Sequence, residues 1–415
     1  MKIPSKIQVV MLTIAAVFTV FKSAALAFPS PPPTNSEVVY ARKDCTNFHS
    51  PTYCVQSMAD VNSWLATKPQ NNPVLIDVGP GTWEDFFVCS SQNNVTLRGS
   101  GRDTTRLVVT GGFQQTAMLI TSCVDLAVES LTAIGSGTGV SWGGTGSSTW
   151  TDTDLVGGGA GSPTQQFAIG WYDQSCGFEF PVHYFFGSRI MSLGNAFENY
   201  GFFPRCAEHW FFGGEVTATN EVNRATNQTA VFVDGGAEVH FIGTTIRYQV
   251  GASTTNLISG PLGSAGGIHG VYVQGAGSAF HSHGAIVNAN GFDSELAQSA
   301  TGIRLVGSNG FVHTHETAFV VNAGTGGTSA RVTGDANDIQ SPFLWHHATA
   351  PPRSVPGDPS SAFVSSIRGA DLFVETDCTT SNCNSTGTIP RLMIHRPEWT
   401  AANGPWWDVR ANACR

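Results

Sequence analysis

The chain has 415 residues, and only 12% of them are Asp, Glu, Lys or Arg, while 47 are glycine; an average globular chain is roughly 25% charged. The formal net charge of −9 excludes the basic footprint that nucleic acid or an acidic membrane surface requires. It also disfavours a polyanion as a tight ligand unless basic residues gather locally. The length exceeds that of a usual single domain, but a solenoid grows without a central core, so one domain with two caps is the expected organisation.

Taken in order, Met1 to Ala27 holds Lys2, Lys6, an apolar run from Val9 to Phe21 and the small-residue site Ala25-Leu26-Ala27. This is the pattern of a secretory signal peptide cleaved near Ala27, and its apolar core is too short for a comfortable membrane span. Export to a secreted or periplasmic location is the expectation, with no membrane span in the mature protein. Phe28 to Asn35, with four prolines, reads as an extended linker. Val55, Met58, Val61 and Leu65 then follow a helical spacing. One amphipathic helix there would cover the open edge of a first coil, so residues 28–72 are read as linker and N-terminal cap.

From Val74 to Val109 the chain reads as short strands bounded by turn residues. Val74, Ile76 and Val78 alternate, Trp83 to Val88 follow Gly-Pro-Gly, and Val95 and Leu97 follow Asn-Asn. The unit returns downstream at about the spacing of one solenoid coil, which favours stacked parallel coils over hairpins. The segments Gly81-Thr82-Trp83-Glu84-Asp85, Asn94-Val95-Thr96-Leu97-Arg98-Gly99-Ser100-Gly101 and Thr104-Thr105-Arg106-Leu107 resemble the opening coils of the pectin methylesterase (pectinesterase) family. The resemblance implies an all-β, pectin-lyase-like right-handed parallel β-helix over residues 73–348. Thr349 to Pro359, with four prolines, breaks the pattern, and residues 349–415 are read as a loop and an irregular C-terminal cap in which Trp406 and Trp407 pack over the last coil. This segment of likeness carries no catalytic residue, and a fold does not fix a chemistry.

The same resemblance extends, more weakly, to the catalytic coils. Thr164-Gln165-Gln166-Phe167-Ala168-Ile169 is similar to the family's glutamine strand, which implies an oxyanion-hole role for Gln166. Phe185-Phe186-Gly187-Ser188-Arg189-Ile190 and Glu208-His209-Trp210-Phe211-Phe212-Gly213-Gly214 stand where the family carries its two catalytic aspartates. Ile190 occupies one of those positions and His209 the other; a shift of register by one would place Glu208 there. The family's Arg-Pro-Trp motif is interrupted as Arg396-Pro397-Glu398-Trp399. Gln166, Glu208 and His209 are thus the candidate catalytic residues. On family parity His209 faces out, with Trp210 and Phe212 inside; a surface histidine beside a salt-bridged glutamate is the blander reading of the pair.

An internal repeat supplies a second constellation. Val231 and Val233, Val271 and Val273, and Ile303 and Leu305 begin equivalent units, and after each a strand follows with Val239, Phe280 or Val312 facing in. His240, His281 and His313 then stack outward in one column, with His283 and His315 in the next. Such a patch is open to a stacked solvated ladder, to sugar contact or to a transition metal. Trp171, Arg189, His281, His283, His313 and His315 are taken as substrate-binding candidates, and no metal or other cofactor is assigned. Asp152 and Asp154 would share a strand face about 7 Å apart, suited to acid/base work or a cation but more simply to a solvated face. The aromatic stretch from Trp171 to Phe212 places about half its rings outward, where sugars are held by stacking.

Nine cysteines in an exported chain suggest disulfides with one left over. Cys45 and Cys54 close a local loop. Cys89 with Cys123 and Cys176 with Cys206 occupy equivalent corners of neighbouring coils, alternatively a buried thiol ladder, while Cys378, Cys383 and Cys414 are unassigned. Asn94, Asn227 and Asn384 lie in glycosylation sequons. Two functional classes stay open: a secreted carbohydrate esterase with a degenerate or rearranged site, acting on or binding cell-wall or extracellular polysaccharide, and a non-catalytic polysaccharide-binding or surface solenoid.

Overall fold

A computed structural model describes residues 36–46, 54–109, 115–144, 146–158, 167–173, 180–193, 198–220, 227–250, 268–274 and 277–291, and short strands between 301 and 414. The expected signal peptide and linker, Gln165 and Gln166, Cys176, Cys378 and Cys383, the proline-rich loop and Asn384 lie outside the described residues. In the strands from residue 301 onward the account is of the backbone, with Val312 and Thr317 the exceptions.

The chain winds as a right-handed parallel β-helix. Each coil passes in turn through three parallel sheets, here A, B and C. Sheet A has thirteen strands, from Cys54–Val55 and Glu37–Ala41 to Ile367–Arg368; sheet B has ten, from Gly81–Trp83 to Leu344–His347; sheet C has nine, from Phe87–Ser90 to Thr328–Thr333. The run Trp83 to Val88, expected as one strand, is two. Gly81–Trp83 belongs to sheet B and Phe87–Ser90 to sheet C, because the chain turns a corner at Glu84–Phe86.

The corner from sheet A to sheet B is two residues long in coil after coil. Its first residue is left-handed each time: Ser130 and Asp152 at φ 51 and 50, then Gly187, Gly213, Gly243 and Gly284 at φ 59, 68, 61 and 59. Glycine adopts this conformation without the steric cost that a Cβ brings. The second corner residue is buried at Ser188, Thr244 and Ala285, and the hydroxyls satisfy the turning backbone: Ser188 Oγ donates to the Trp150 carbonyl (3.1 Å) and Thr244 Oγ1 to the Gly213 carbonyl (3.0 Å). Asp152 is therefore a corner residue, and the expectation that it shares a strand face with Asp154 is corrected.

Strand alternation fills the interior. Val74, Ile76, Val78, Val95 and Leu97 line the first coils, and Trp142, Trp150, Trp171, Phe185, Phe202, Phe211 and Phe241 line the middle ones, all buried to within 1%. Each such side chain contributes roughly 1.5–3 kcal/mol by leaving water. The expected inward set Val231, Val233, Val271, Val273, Val239, Phe280 and Val312 is fully buried.

The helix Met58–Ala66 closes the first coil, with Met58, Val61 and Leu65 buried against the core as their spacing predicts and Ser57 capping the Asp60 amide. Val55, expected on the same helix, lies instead in the strand Cys54–Val55, because the cap at Ser57 starts the helix after it. Asn62 protects the exposed edge of sheet C: its side chain donates to the Phe86 carbonyl (2.8 Å) and accepts from the Val88 amide (3.0 Å). The disulfides Cys45–Cys54 and Cys89–Cys123 are formed as expected; Cys206 is also disulfide-bonded. The C-terminal cap is more regular than expected, an antiparallel sheet of Leu372–Glu375, Arg391–His395, Trp406–Asp408 and Ala413–Cys414. Among the described residues no helix is long and apolar enough to cross a membrane.

Candidate functional site: the outer face of sheet A

Strands Val182–Phe186, Glu208–Phe212, Glu238–Ile242, Ala279–His283 and Phe311–His315 stack in sheet A, and their register fixes which side chains share a column. One outer column runs Tyr184, Trp210, His240, His281; the next runs Phe186, Phe212, Ile242, His283; and Val182, Glu208 and Glu238 flank them. Adjacent members are about 4.8 Å apart along the solenoid. Of the expected histidine columns, His240, His281 and His283 stand at these positions, with His313 and His315 in backbone register beyond them, and an aromatic half extends the columns upstream.

The rings stack on one another along the solenoid axis. Trp210 and His240 lie 3.8 Å apart at 3°, His240 and His281 4.5 Å apart at 7°, and Phe186 and Phe212 5.0 Å apart at 9°. Their faces are thus spent on each other, and the ladder presents ring edges outward with polar groups between. Trp210 Nε1 donates to Glu208 Oε1 (2.6 Å). Glu238 Oε1 lies 3.1 Å from His240 Nε2 and 3.2 Å from His281 Nε2, and Glu208 Oε1 is 3.6 Å from His240 Nε2.

Two carboxylates this close would by themselves favour a proton on His240. Burial works against it more strongly, together with the positive charge that His281, His283 and His209 would share, and its pKa falls to about 3. The Glu238 carboxyl is raised, by burial first and then by Glu208; the Tyr184 hydroxyl is raised by the same two causes. The face therefore carries a neutral His240 ring between two acids. Glu238, His240 and His281 also bring three donor atoms within 4.8 Å of one another, where Glu238 already serves both rings.

The sequence-derived candidates fare unequally. Glu208 sits on this face, half-buried, while His281 and His283 stand in its columns; His313 and His315 hold the corresponding backbone positions. His209 does not. It is 0% exposed inside the coil, and it is Trp210 and Phe212 that face out, so the expected parity is inverted. The reason is register: His209 pairs with Val239, which pairs with Phe280, and both are interior residues. Trp171 is likewise 0% exposed, with Nε1 donating to Asp173 Oδ1 (2.7 Å), and cannot meet a ligand in an outer groove.

Arg189 lies on sheet B and is committed to Asp154, through Nε to Oδ1 at 2.7 Å and through Nη2 to Oδ2. That contact raises the Arg189 pKa. Arg102 approaches the same carboxylate at 3.9 Å and Asp152 at 3.3 Å, so the two aspartates are neutralised by arginine and offer neither a cation site nor an acid/base pair. Ile190 is buried in sheet B. Reading from sequence missed Glu238 as a partner of Glu208, although both open their strands with Glu-x-(His/Trp) at the same register.

No protein-family model and no curated protein matches the chain. Among solved structures it is similar to a pectin methylesterase from carrot, at 10% identity over 82% of this chain and 90% of that one, with a TM-score of 0.40. It is similar also to pectin methylesterase PemA from Erwinia chrysanthemi, at 13% identity over 72% and 81% (0.38), and to ORF18 of Geobacillus virus E2, at 13% over 78% and 57% (0.41). Likeness at this level says nothing about chemistry.

Proposed function

We propose that the chain is an exported, pectinesterase-like β-helix that binds an extended extracellular polysaccharide across the outer face of sheet A, without the methylester hydrolysis of that family. The observation that carries this is the continuous ladder Tyr184, Trp210, His240, His281 beside Phe186 and Phe212, half-buried and flat, with Glu208 and Glu238 along its flank. Ring edges and imidazole nitrogens meet C–H and hydroxyl groups of a sugar chain, and the carboxylates accept from its hydroxyls. Two acids on the face, with a net charge of −9, favour a neutral or methylesterified polymer over a polyuronate. In the register that sets them at the family's aspartate positions, Ile190 and His209 are both interior; in the register shifted by one, Glu208 on the outer face has no second carboxylate at Ile190. Affinity electrophoresis in gels containing methylesterified pectin, polygalacturonate or neutral glucans tests this. Retardation by a neutral or esterified polymer without methanol release is expected; unchanged mobility in every gel, or methanol release at ordinary turnover, overturns it.

The Glu208–Glu238 pair favours a second reading, glycosidic-bond hydrolysis. Two carboxyls in register, one with a raised pKa, is the arrangement such chemistry uses, with Glu238 as acid and Glu208 as base or nucleophile. New reducing ends that disappear in Glu238→Gln would establish it.

A further inference from the structure

Behind the outer ladder, the inner column of sheet A is interrupted. It runs Leu126, Ser148, His183, His209, Val239, Phe280, Val312, three polar residues in an otherwise apolar file. The sheet C file Ile120, Trp142, Asp173 adds a fourth polar group from across the lumen. We propose that Asp173, His183 and His209 form a metal site sealed inside the solenoid, holding one divalent transition-metal ion through a carboxylate oxygen and two imidazole nitrogens.

All three residues are 0% exposed, and they offer donor atoms within 4.8 Å of one another. Apolar interiors tolerate such groups when they are paired or bound to a metal. Pairing within the protein is incomplete. His183 Nε2 and both ring nitrogens of His209 are buried without a hydrogen-bond partner. His209 Nε2 lies 3.2 Å from Asp173 Oδ2 but outside hydrogen-bond geometry, so neither ring is spent on holding the carboxylate. An unsatisfied buried polar group is costly, and an ion bound to His183 Nε2 and to one ring nitrogen of His209 would satisfy two of these three atoms.

The surroundings are those that orient ligands. His183 Nδ1 is 2.8 Å from Ser148 Oγ, and in the tautomer that donates to that oxygen the Nε2 lone pair is left for the lumen; Trp150 Nε1 donates to the same hydroxyl at 2.7 Å. Trp171 Nε1 donates to Asp173 Oδ1, and Oδ2, which accepts from the Arg205 amide (3.3 Å), lies 3.2 Å from His209 Nε2. Hydrogen bonds from the far side of a ligand set its tautomer and direction. Bonds of about 2.0–2.2 Å place the donors of a tetrahedral ion roughly 3.3 Å apart. The Asp173–His209 separation of 3.2 Å is already close to that, and the His183 donor lies within 4.8 Å of both. Two imidazoles and a carboxylate suit zinc, iron or a similar ion rather than calcium or magnesium.

Because the site is enclosed, the ion would enter as the chain folds, and its binding free energy would add to stability. The test uses the full mature chain expressed in metal-supplemented medium and purified without chelator. Elemental analysis is expected to find about one equivalent of a transition metal, retained through native dialysis against a chelator. Unfolding with chelator and refolding with or without zinc should give a metal-loaded form that melts at least several degrees higher. The conservative variants His183→Gln and Asp173→Asn should hold less than a tenth of an equivalent and lose the zinc-dependent rise, whereas His281→Gln on the outer face should keep both. Less than a tenth of an equivalent in the purified wild type, or full occupancy in the two variants, overturns the proposal.

Discussion

In strands Val182–Phe186 and Glu208–Phe212, odd-numbered residues point into the solenoid and even-numbered ones point out. Inside, His183, Phe185, His209 and Phe211 are fully buried; Phe185, His209 and Phe211 pack edge to face with Trp171 or Phe202, and His183 with Trp142. Outside, Tyr184, Trp210 and Phe212 keep part of their surface in water beside Glu208. The two faces use the same residue types one position apart, so the kind of side chain says little here and the parity of the strand says nearly everything. Inner residues should govern stability and outer ones binding, and each substitution below is a way to separate the two.

The largest effect is expected at Trp171, which lies at the centre of the inner set. Trp171→Ala removes a buried ring and the donor to Asp173, and should cost about 3–5 kcal/mol or more, read as a fall in the denaturant midpoint. A variant as stable as wild type would mean that the ring is not interior.

Asp154 distinguishes the outer face of sheet B from that of sheet A. Asp154→Asn leaves Arg189 without its carboxylate, and should lower stability by about 1–3 kcal/mol while leaving polysaccharide retardation unchanged. Lost retardation with an unchanged melting temperature would move the binding face to sheet B.

A smaller effect comes from His240, which faces Glu208 and Glu238 from its own and the neighbouring strand and His281, His283 and His209 from adjacent positions. Its folded pKa of about 3 lies below the ordinary 6.5, so between those values the unfolded chain binds more protons. The stability associated with His240 is therefore complete above about pH 6.5 and is lost as pH falls toward 3. The melting temperature should decline across that window, and less steeply in His240→Gln. An equal slope in the variant would show that His240 is protonated in the folded protein.

Much of the fold was legible in the sequence, because short strands, turn residues and a coil-length repeat are local signals. The helix spacing at Met58, Val61 and Leu65 and the pairing of Cys89 with Cys123 followed from the same signals. The site was legible only in part. Parity was carried correctly from Val239, Phe280 and Val312, yet one coil upstream it was set by family likeness, which put His209 outside. Continuing the repeat through the His209–Val239 pair would have placed it inside. The inner Asp173 could not be foreseen, since it reaches His183 and His209 from a different sheet, and nothing in sequence spacing reports a meeting across the lumen.

The central claim is that the even-numbered outer face of sheet A is the binding surface, and Trp210→Ala tests it most directly. Trp210 is half-buried, stacked on His240 and bonded to Glu208, but it is not part of the interior. Mobility in methylesterified-pectin and neutral-glucan gels should return to that of a non-binding protein in the variant, with the melting temperature shifted by only a few degrees. Retardation equal to wild type in a folded Trp210→Ala would contradict the account.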